Sequence, residues 1–180
     1  MDNTESNYTF DVRTHGKVDI ITMSEYSYQY LTALENELVF PSFSRADAAA
    51  LGAMLDEEGR MCGCPIAIEI TINGLVVFRY FQDGCPPDST NWLARKRRVI
   101  DEQGMGSLRF GMMLEENGET LEDHKIDSMT YAPGGGGMPI ILRETGIIGS
   151  VCVSGCPNHL MDQTIVSKGM RRLLAVKTQQ

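Results

Sequence analysis

The chain reads as an α/β domain of the α+β kind, an antiparallel sheet flanked by helices. Three observations predict it. Ile66-Ala-Ile-Glu-Ile-Thr-Ile72 and Leu75-Val-Val-Phe-Arg-Tyr-Phe81 are two β-branched and aromatic runs joined by Asn73-Gly74, the strongest short hairpin signal. Met138–Arg143 and Gly146–Ser154 make a second apolar pair around a short turn. The remaining ordered-looking segments carry apolar residues at helical spacing. With 180 residues, 42% of them apolar, the chain can bury one good core. No repeat or linker divides it, so residues 18–180 read as a single domain behind a loose polar arm, residues 1–17.

The elements follow in order. Thr22-Met-Ser-Glu25 resembles a capping box, and Leu31, Leu34 and Leu38 continue a helix of about four turns that Pro41 ends. Ser44-Arg-Ala-Asp47 opens a second helix with Ala48, Leu51, Gly52 and Leu55 on one face, and Gly59 and Gly63 mark its end. In the first hairpin a two-residue loop pairs Ile72 with Leu75 and Ile70 with Val77, and sets Glu69 opposite Phe78. Both hairpin faces are apolar, so one covers helices and the other needs a second layer or a subunit. After the loop Asp83–Asp88, either Asp88 or Ser89 caps a third helix to about Gln103. Ser107–Met113 is a helical piece or a strand, Asn117-Gly118 a turn, and Asn158 to about Val176 the last helix.

Composition narrows the function. The net charge of −8 argues against nucleic acid and anionic membranes as partners. No run of eighteen apolar residues could span a membrane, and the acidic start, Met1–Asn7, does not read as a signal peptide, so a cytoplasmic protein is expected. The five cysteines, Cys62, Cys64, Cys85, Cys152 and Cys156, read as reduced thiols, and their spacings do not fit zinc; no metal is expected. Cys156 stands out because it precedes a helix N-terminus, a place that lowers a thiol pKa.

Helical wheels single out two side chains. Trp92, Leu93, Val99 and Ile100 form the apolar stripe of the third helix, and Lys96 falls in its middle, with Arg95 and Arg97 on the flanks. A lysine there either snorkels past the helix, joins an ion pair, with Glu69 one partner to consider, or meets an anionic ligand. In the last helix Val166, Met170, Leu173 and Leu174 define the stripe, His159 lies at its centre and Asp162 at its edge. His159 is then a packing residue, a proton-transfer group or an axial ligand. Between these helices lies Tyr131-Ala-Pro-Gly-Gly-Gly-Gly-Met-Pro-Ile140. Gly134, Gly135, Gly136 and Gly137 form either a flexible turn or a close-approach loop, and Ser154-Gly155 is a turn beside it. No phosphate loop, dinucleotide fingerprint, nucleophile elbow or zinc-protease motif is present.

Five stretches together resemble one family: Phe43–Gly52, Pro65–Ile70 with Asn73-Gly74, Asp88–Lys96, Tyr131–Ile140 and Ile148–Gly155. They are similar to the haem-degrading-domain superfamily, which includes GlcG-like, HbpS-like and PduO C-terminal-like domains, and resemble most its cytosolic bacterial and fungal branch. The resemblance covers about residues 31–174. It implies a profilin-like fold, a homo-oligomer built from dimers, and haem as a possible cofactor. It also implies a histidine before the glycines, where this chain has Gly134, and an Asp-His pair where it has Met161 and Asp162. The Trp-x-x-Arg-Lys element is kept as Trp92, Arg95 and Lys96.

Residues and resemblance together predict a pocket near the glycine loop and a subunit boundary. Lys96, His159, Asp162, Tyr131 and Glu69 are its candidate catalytic groups. Trp92, Arg95, Gly134 to Gly137, Ser154 and Gly155 are its candidate ligand contacts. The inventory suits a small organic ligand and acid–base chemistry of the isomerase, cyclase or lyase type, with no cofactor required. Haem binding and breakdown is the alternative, and a non-catalytic oligomeric scaffold the third reading.

Overall fold

A computed structural model describes residues 26–179; the arm 1–17 and the Thr22–Glu25 box lie outside the described residues. Helix α1 (Tyr28–Glu37) begins later than the sequence suggests, because Ser27 caps it by accepting a hydrogen bond from the Tyr30 N–H. Strand β1 (Val39–Phe40) follows, then α2 (Arg45–Cys62). The Ser44–Asp47 capping box forms as expected. Gly63, at φ 73°, closes the helix, whereas Gly59 stays inside it, where a Cβ would strike the Ile66 side chain at 2.6 Å. Strands β2 (Ala67–Ile72) and β3 (Leu75–Phe81), helices α3 (Ser89–Gln103) and α4 (Ser107–Asn117), strands β4 (Gly137–Leu142) and β5 (Gly146–Ser154), and helix α5 (His159–Thr178) complete the chain. Segment 107–113 is thus helical, and Gly118 ends it in the left-handed conformation.

The five strands form one sheet in the order β1-β4-β5-β2-β3. It is mixed rather than purely antiparallel: β1 pairs in parallel with β4, Val39 against Ile141. Two residues after a helix carry no alternating pattern, so nothing in the sequence announces this strand. Asn73 and Gly74 both have positive φ, as the two-residue turn requires. The register then departs from expectation. Ile72 faces Leu75, but a bulge shifts the ladder between Ile70 and Thr71, so Ile70 faces Phe78 and Glu69 faces Arg79.

Alternation along the strands sorts the layers. Ile68, Ile70, Val151 and Val153 pack with Leu51 and Leu55 of α2 and Val166 and Met170 of α5. Gly52 presses on the Phe78 ring, where any Cβ would clash at 2.3 Å. On the opposite face Ala67 and Cys152 meet Leu93 and Ile100 of α3. The sheet therefore lies between α2 and α5 on one side and α3 on the other. The site forms where the α3 and α5 layers meet around the strand ends.

Candidate functional site

Helix α3 buries Leu93, Lys96, Val99 and Ile100, as its period requires, but Trp92 departs from the stripe and is 39% exposed. Lys96 does not snorkel. It is 3% exposed, and its Nζ donates to the Val153 carbonyl at 2.8 Å and to Asp162 Oδ2 at 2.9 Å. The partner is thus Asp162, on α5, and not Glu69. Glu69 is held instead by Arg97, at 2.6 Å, and by Arg79, at 3.2 Å, which the bulge in β2–β3 sets opposite it.

The α3 lysine reaches an α5 aspartate across the end of the sheet because Gly136 leaves the passage open. A Cβ there would lie 2.4 Å from the Val153 carbonyl, 2.7 Å from Asp162 Cβ and 2.9 Å from Lys96 Nζ. Its φ of 103° is also open to glycine and strained for other residues. The rest of the loop is pinned rather than flexible. Gly135 N–H donates to His159 Nδ1 at 2.9 Å, and Gly136 N–H to Gln163 Oε1 at 3.0 Å. Ser107 Oγ donates to the Gly134 carbonyl at 2.5 Å and accepts from Gly137 N–H at 3.1 Å. The glycines are needed for close approach: at Gly135 a Cβ would meet the His159 carbonyl at 2.2 Å.

A pocket of about 490 Å³ opens in front of this seam. Lys96, His159, Asp162, Trp92, Arg95, Gly134, Ser154 and Gly155 line it, so the structure brings these predicted residues together. Gly135, Gly136 and Gly137 stand behind the wall. Tyr131 and Glu69 lie off it. Tyr131 turns its hydroxyl to Glu102 in a short hydrogen bond and its ring beneath Arg98, and its carbonyl accepts from Arg95. Glu69 faces its two arginines across the sheet. Sequence reasoning missed Pro86, Asp88, Pro133 and Pro157 on the wall, and Ser107 and Gln163 as anchors of the loop; it singled out Cys156 only as a thiol before a helix, and the structure sets it on the wall. Asp88 stands at the α3 N-cap without capping it; its carboxylate accepts from the Trp92 indole N–H at 3.2 Å.

The electrostatics follow from these contacts. Burial pushes the Asp162 carboxyl above its ordinary value, and Lys96 and Cys156 oppose the push. His159 sits exposed at the rim rather than at the centre of the α5 stripe, with its Nδ1 edge enclosed by the glycine loop. Partial burial holds its imidazole below the ordinary value, Lys96 adds to the effect, and Asp162 opposes it. Since Nδ1 accepts from Gly135, the neutral ring carries its proton on Nε2. Arg95 stacks its guanidinium 4.3 Å over the Trp92 ring and donates to the Ser128 and Tyr131 carbonyls. Its buried Nε has no partner among the described residues. Two of the three Lys96 N–H groups are spent on protein acceptors. The wall thus offers donors to an anion, a neutral imidazole that donates, and a carboxylate poised to take a proton.

Comparison with known proteins agrees with this architecture. The family model for Haem degrading protein HbpS-like matches residues 43–171. A UPF0303 protein of Rhizobium etli is 37% identical over 141 residues, covering 78% of this chain and 85% of that protein. A UPF0303 protein of Streptomyces coelicolor is 36% identical over the same share of this chain and 89% of its own length. Among solved structures, the Ybr137w protein superposes with a TM-score of 0.75 at 23% identity, covering 82% of this chain and 89% of that one. A PduOC:heme complex does so with a TM-score of 0.61 at 18% identity, over 72% and 94%.

Proposed function

The chain belongs to the HbpS-like haem-degrading family, and from that premise we propose that its pocket binds a small organic acid and moves a proton next to a carbonyl of that acid. One observation carries the reading. Lys96, Asp162 and His159 converge on one pocket wall with complementary unspent capacity: a third ammonium N–H, a carboxylate of raised pKa and an Nε2–H. Arg95, on the pocket wall beside Trp92, takes the ligand carboxylate. Asp162 takes the proton from carbon as the C–H electrons move onto the carbonyl oxygen. His159 Nε2–H and Lys96 donate to that oxygen as its charge grows, and the proton then returns to a neighbouring atom. An isomerisation of this kind needs no cofactor. His159 is here a neutral hydrogen-bond donor, rather than the proton carrier the sequence suggests, because its other nitrogen is committed to Gly135.

Trp92 is the chain's one tryptophan and lies on the pocket wall, so its fluorescence reports occupancy. A panel of small keto and hydroxy acids, read by that fluorescence and by melting temperature, is expected to yield a binder. In heavy water its C–H beside the carbonyl exchanges with wild-type protein and does not with Asp162→Asn. Exchange unchanged in Asp162→Asn, or a panel without a binder, overturns the reading.

Haem is the second reading, favoured by the family and by a PduOC:heme complex of the same fold. The residues present do not fit an axial histidine. For Nε2 of His159 to take iron, its proton must move to Nδ1, where the Gly135 N–H already points at 2.9 Å. No step is therefore routed through haem. A haem titration of wild-type protein is expected to stay free of a stoichiometric Soret shift, and a shift lost in His159→Ala restores this reading.

The chain also acts, in this proposal, as a homo-oligomer in the cytoplasm. The β3 edge leaves its outer backbone unpaired and exposes Leu75, Val76, Tyr80 and Phe81, a surface suited to a second copy. All five cysteines are free thiols, which suits a reducing compartment. Among the described residues no helix is long and apolar enough to cross a membrane.

A further inference from the structure

Three of the five thiols gather beside the pocket, and the proton-transfer scheme uses none of them. Cys64 Sγ points at the Cys62 carbonyl at 3.9 Å, and the Cys156 N–H donates to Asp162 Oδ1 at 3.1 Å. The three come from distant segments. Cys62 ends α2 and Cys64 lies in the connection to β2, while Cys156 follows β5. The ladder explains the meeting: Ala67 faces Ser154, so the strand ends continue side by side toward Cys64 and Cys156. Gly155 brings the backbones unusually close. A Cβ on it would lie 2.3 Å from the Pro65 carbonyl and 3.0 Å from Ile66 Cα. Cys156 lines the pocket, and Cys64 is buried behind it at 5% exposure. Among the described residues no group of three or more His, Cys, Asp or Glu is arranged to hold a metal ion.

We propose that Cys156 and Cys64 form an oxidation site for a small hydroperoxide entering through the pocket, with Cys156 attacked first and Cys64 resolving it to a disulfide. The Cys156 sulfur takes the terminal peroxide oxygen, the O–O bond breaks, and Cys156 becomes a sulfenic acid while water or an alcohol leaves with the thiol proton. Cys64 sulfur then attacks Cys156 sulfur, the S–O bond breaks, and a second water leaves with the Cys64 proton. Two thiols lose two electrons, and the peroxide gains them. The order follows from access, since only Cys156 is on the pocket wall. Cys64 is pushed up to about 12, most of all by its hydrogen bond with the Cys156 thiol. Oxidation of Cys156 removes that restraint at the moment Cys64 is needed. The bond ties the α2–β2 connection to the β5–α5 loop, next to Asp162, whose carboxylate accepts from the Cys156 N–H.

The test uses the full chain, treated with hydrogen peroxide, alkylated and mapped without reduction. Trypsin places Cys62 and Cys64 in peptide 61–79 and Cys152 and Cys156 in peptide 144–168. The expected result is a link between these peptides, assigned to Cys64–Cys156 by fragmentation and reversed by dithiothreitol. Cys62→Ser and Cys152→Ser keep the link; Cys64→Ser loses it and leaves Cys156 as sulfenic acid, trapped by dimedone. A link that forms through Cys62 or Cys152, or Cys156 driven to sulfinic acid with Cys64 still free in the wild type, overturns the proposal.

Discussion

Glu69 and Asp162 are both buried carboxylates, and both are met by consecutive residues of one helix, Arg97 and Lys96 of α3. Their circumstances differ. Glu69 has two guanidinium partners, whose own side chains are 31% and 39% exposed, so the cations stay hydrated while they serve it. Asp162 has one cation, which is 3% exposed and gives a second hydrogen bond to a backbone carbonyl. One site is closed by surplus positive charge at the surface. The other is balanced one against one inside, faces a pocket, and is pushed by burial toward holding a proton. A buried charge is therefore not by itself a sign of chemistry. What separates the two is unspent capacity beside open volume.

Removing each cation or anion sharpens this contrast, and the largest effect belongs to Lys96. Lys96→Met leaves Asp162 with only the Cys156 contacts to oppose its burial. We expect a loss of about 3–5 kcal/mol in chemical denaturation, the usual cost of breaking a buried pair from one side. Glu69→Gln leaves two arginines that can turn to water, so its expected loss is only about 1 kcal/mol. Equal losses would erase the distinction between the two sites.

The passage that joins Lys96 to Asp162 gives the next effect. Gly136→Ala must fit a Cβ 2.4 Å from the Val153 carbonyl in a backbone conformation with positive φ, and about 2–3 kcal/mol of destabilisation is expected. Gly134→Ala meets nothing closer than the His159 ring at 3.8 Å and is expected to change stability by less than about 0.5 kcal/mol. Thermal melts of the two variants check whether the glycines differ as the contacts require. Similar melting temperatures would make the loop a uniform flexible turn after all.

The same two carboxylates show where a sequence is readable. Lys96 and its flanking arginines were legible because helical period alone fixes which side chains face inward, and Leu93, Val99 and Ile100 follow the same rule. The Ser44–Asp47 cap and the Asn73-Gly74 turn were legible because both are local chemistry. The partner of Lys96 was not: Asp162 lies 66 residues away, and only the completed sheet decides between it and Glu69. That choice turns on a bulge. The extra residue in β3 replaces the expected Glu69–Phe78 pairing with Glu69–Arg79, and so supplies Glu69 with its second cation. Trp92 and His159 belong to the apolar stripes by angle yet sit at a rim, because the layers part there to form the pocket. Tyr131 sits three residues before the glycine loop in sequence, but the Arg95 and Arg98 contacts turn it outward.

The smallest expected effect separates His159 from Asp162 by the sign of its pH dependence. The His159 imidazole is held below its ordinary value of 6.5, first by burial and then by Lys96. Between that lowered value and 6.5 the folded chain binds fewer protons than the unfolded chain, so this group's contribution to stability rises with pH through the window. It is fully present above 6.5 and is lost as the pH falls toward the lowered value. Asp162 runs the other way: its raised carboxyl keeps a proton that the unfolded chain has released, so its contribution falls as pH rises from 3.8 through the raised value. His159→Gln removes the first dependence and keeps the second. Denaturation of both proteins from about pH 5 to about pH 8 is therefore expected to show wild type gaining on the variant as pH rises. A gap that stays constant would mean His159 is as free in the folded chain as in the unfolded one, and the hydrogen bond from Gly135 would not be holding it. A gap that widens toward acid would mean that Asp162, rather than Lys96, governs the imidazole.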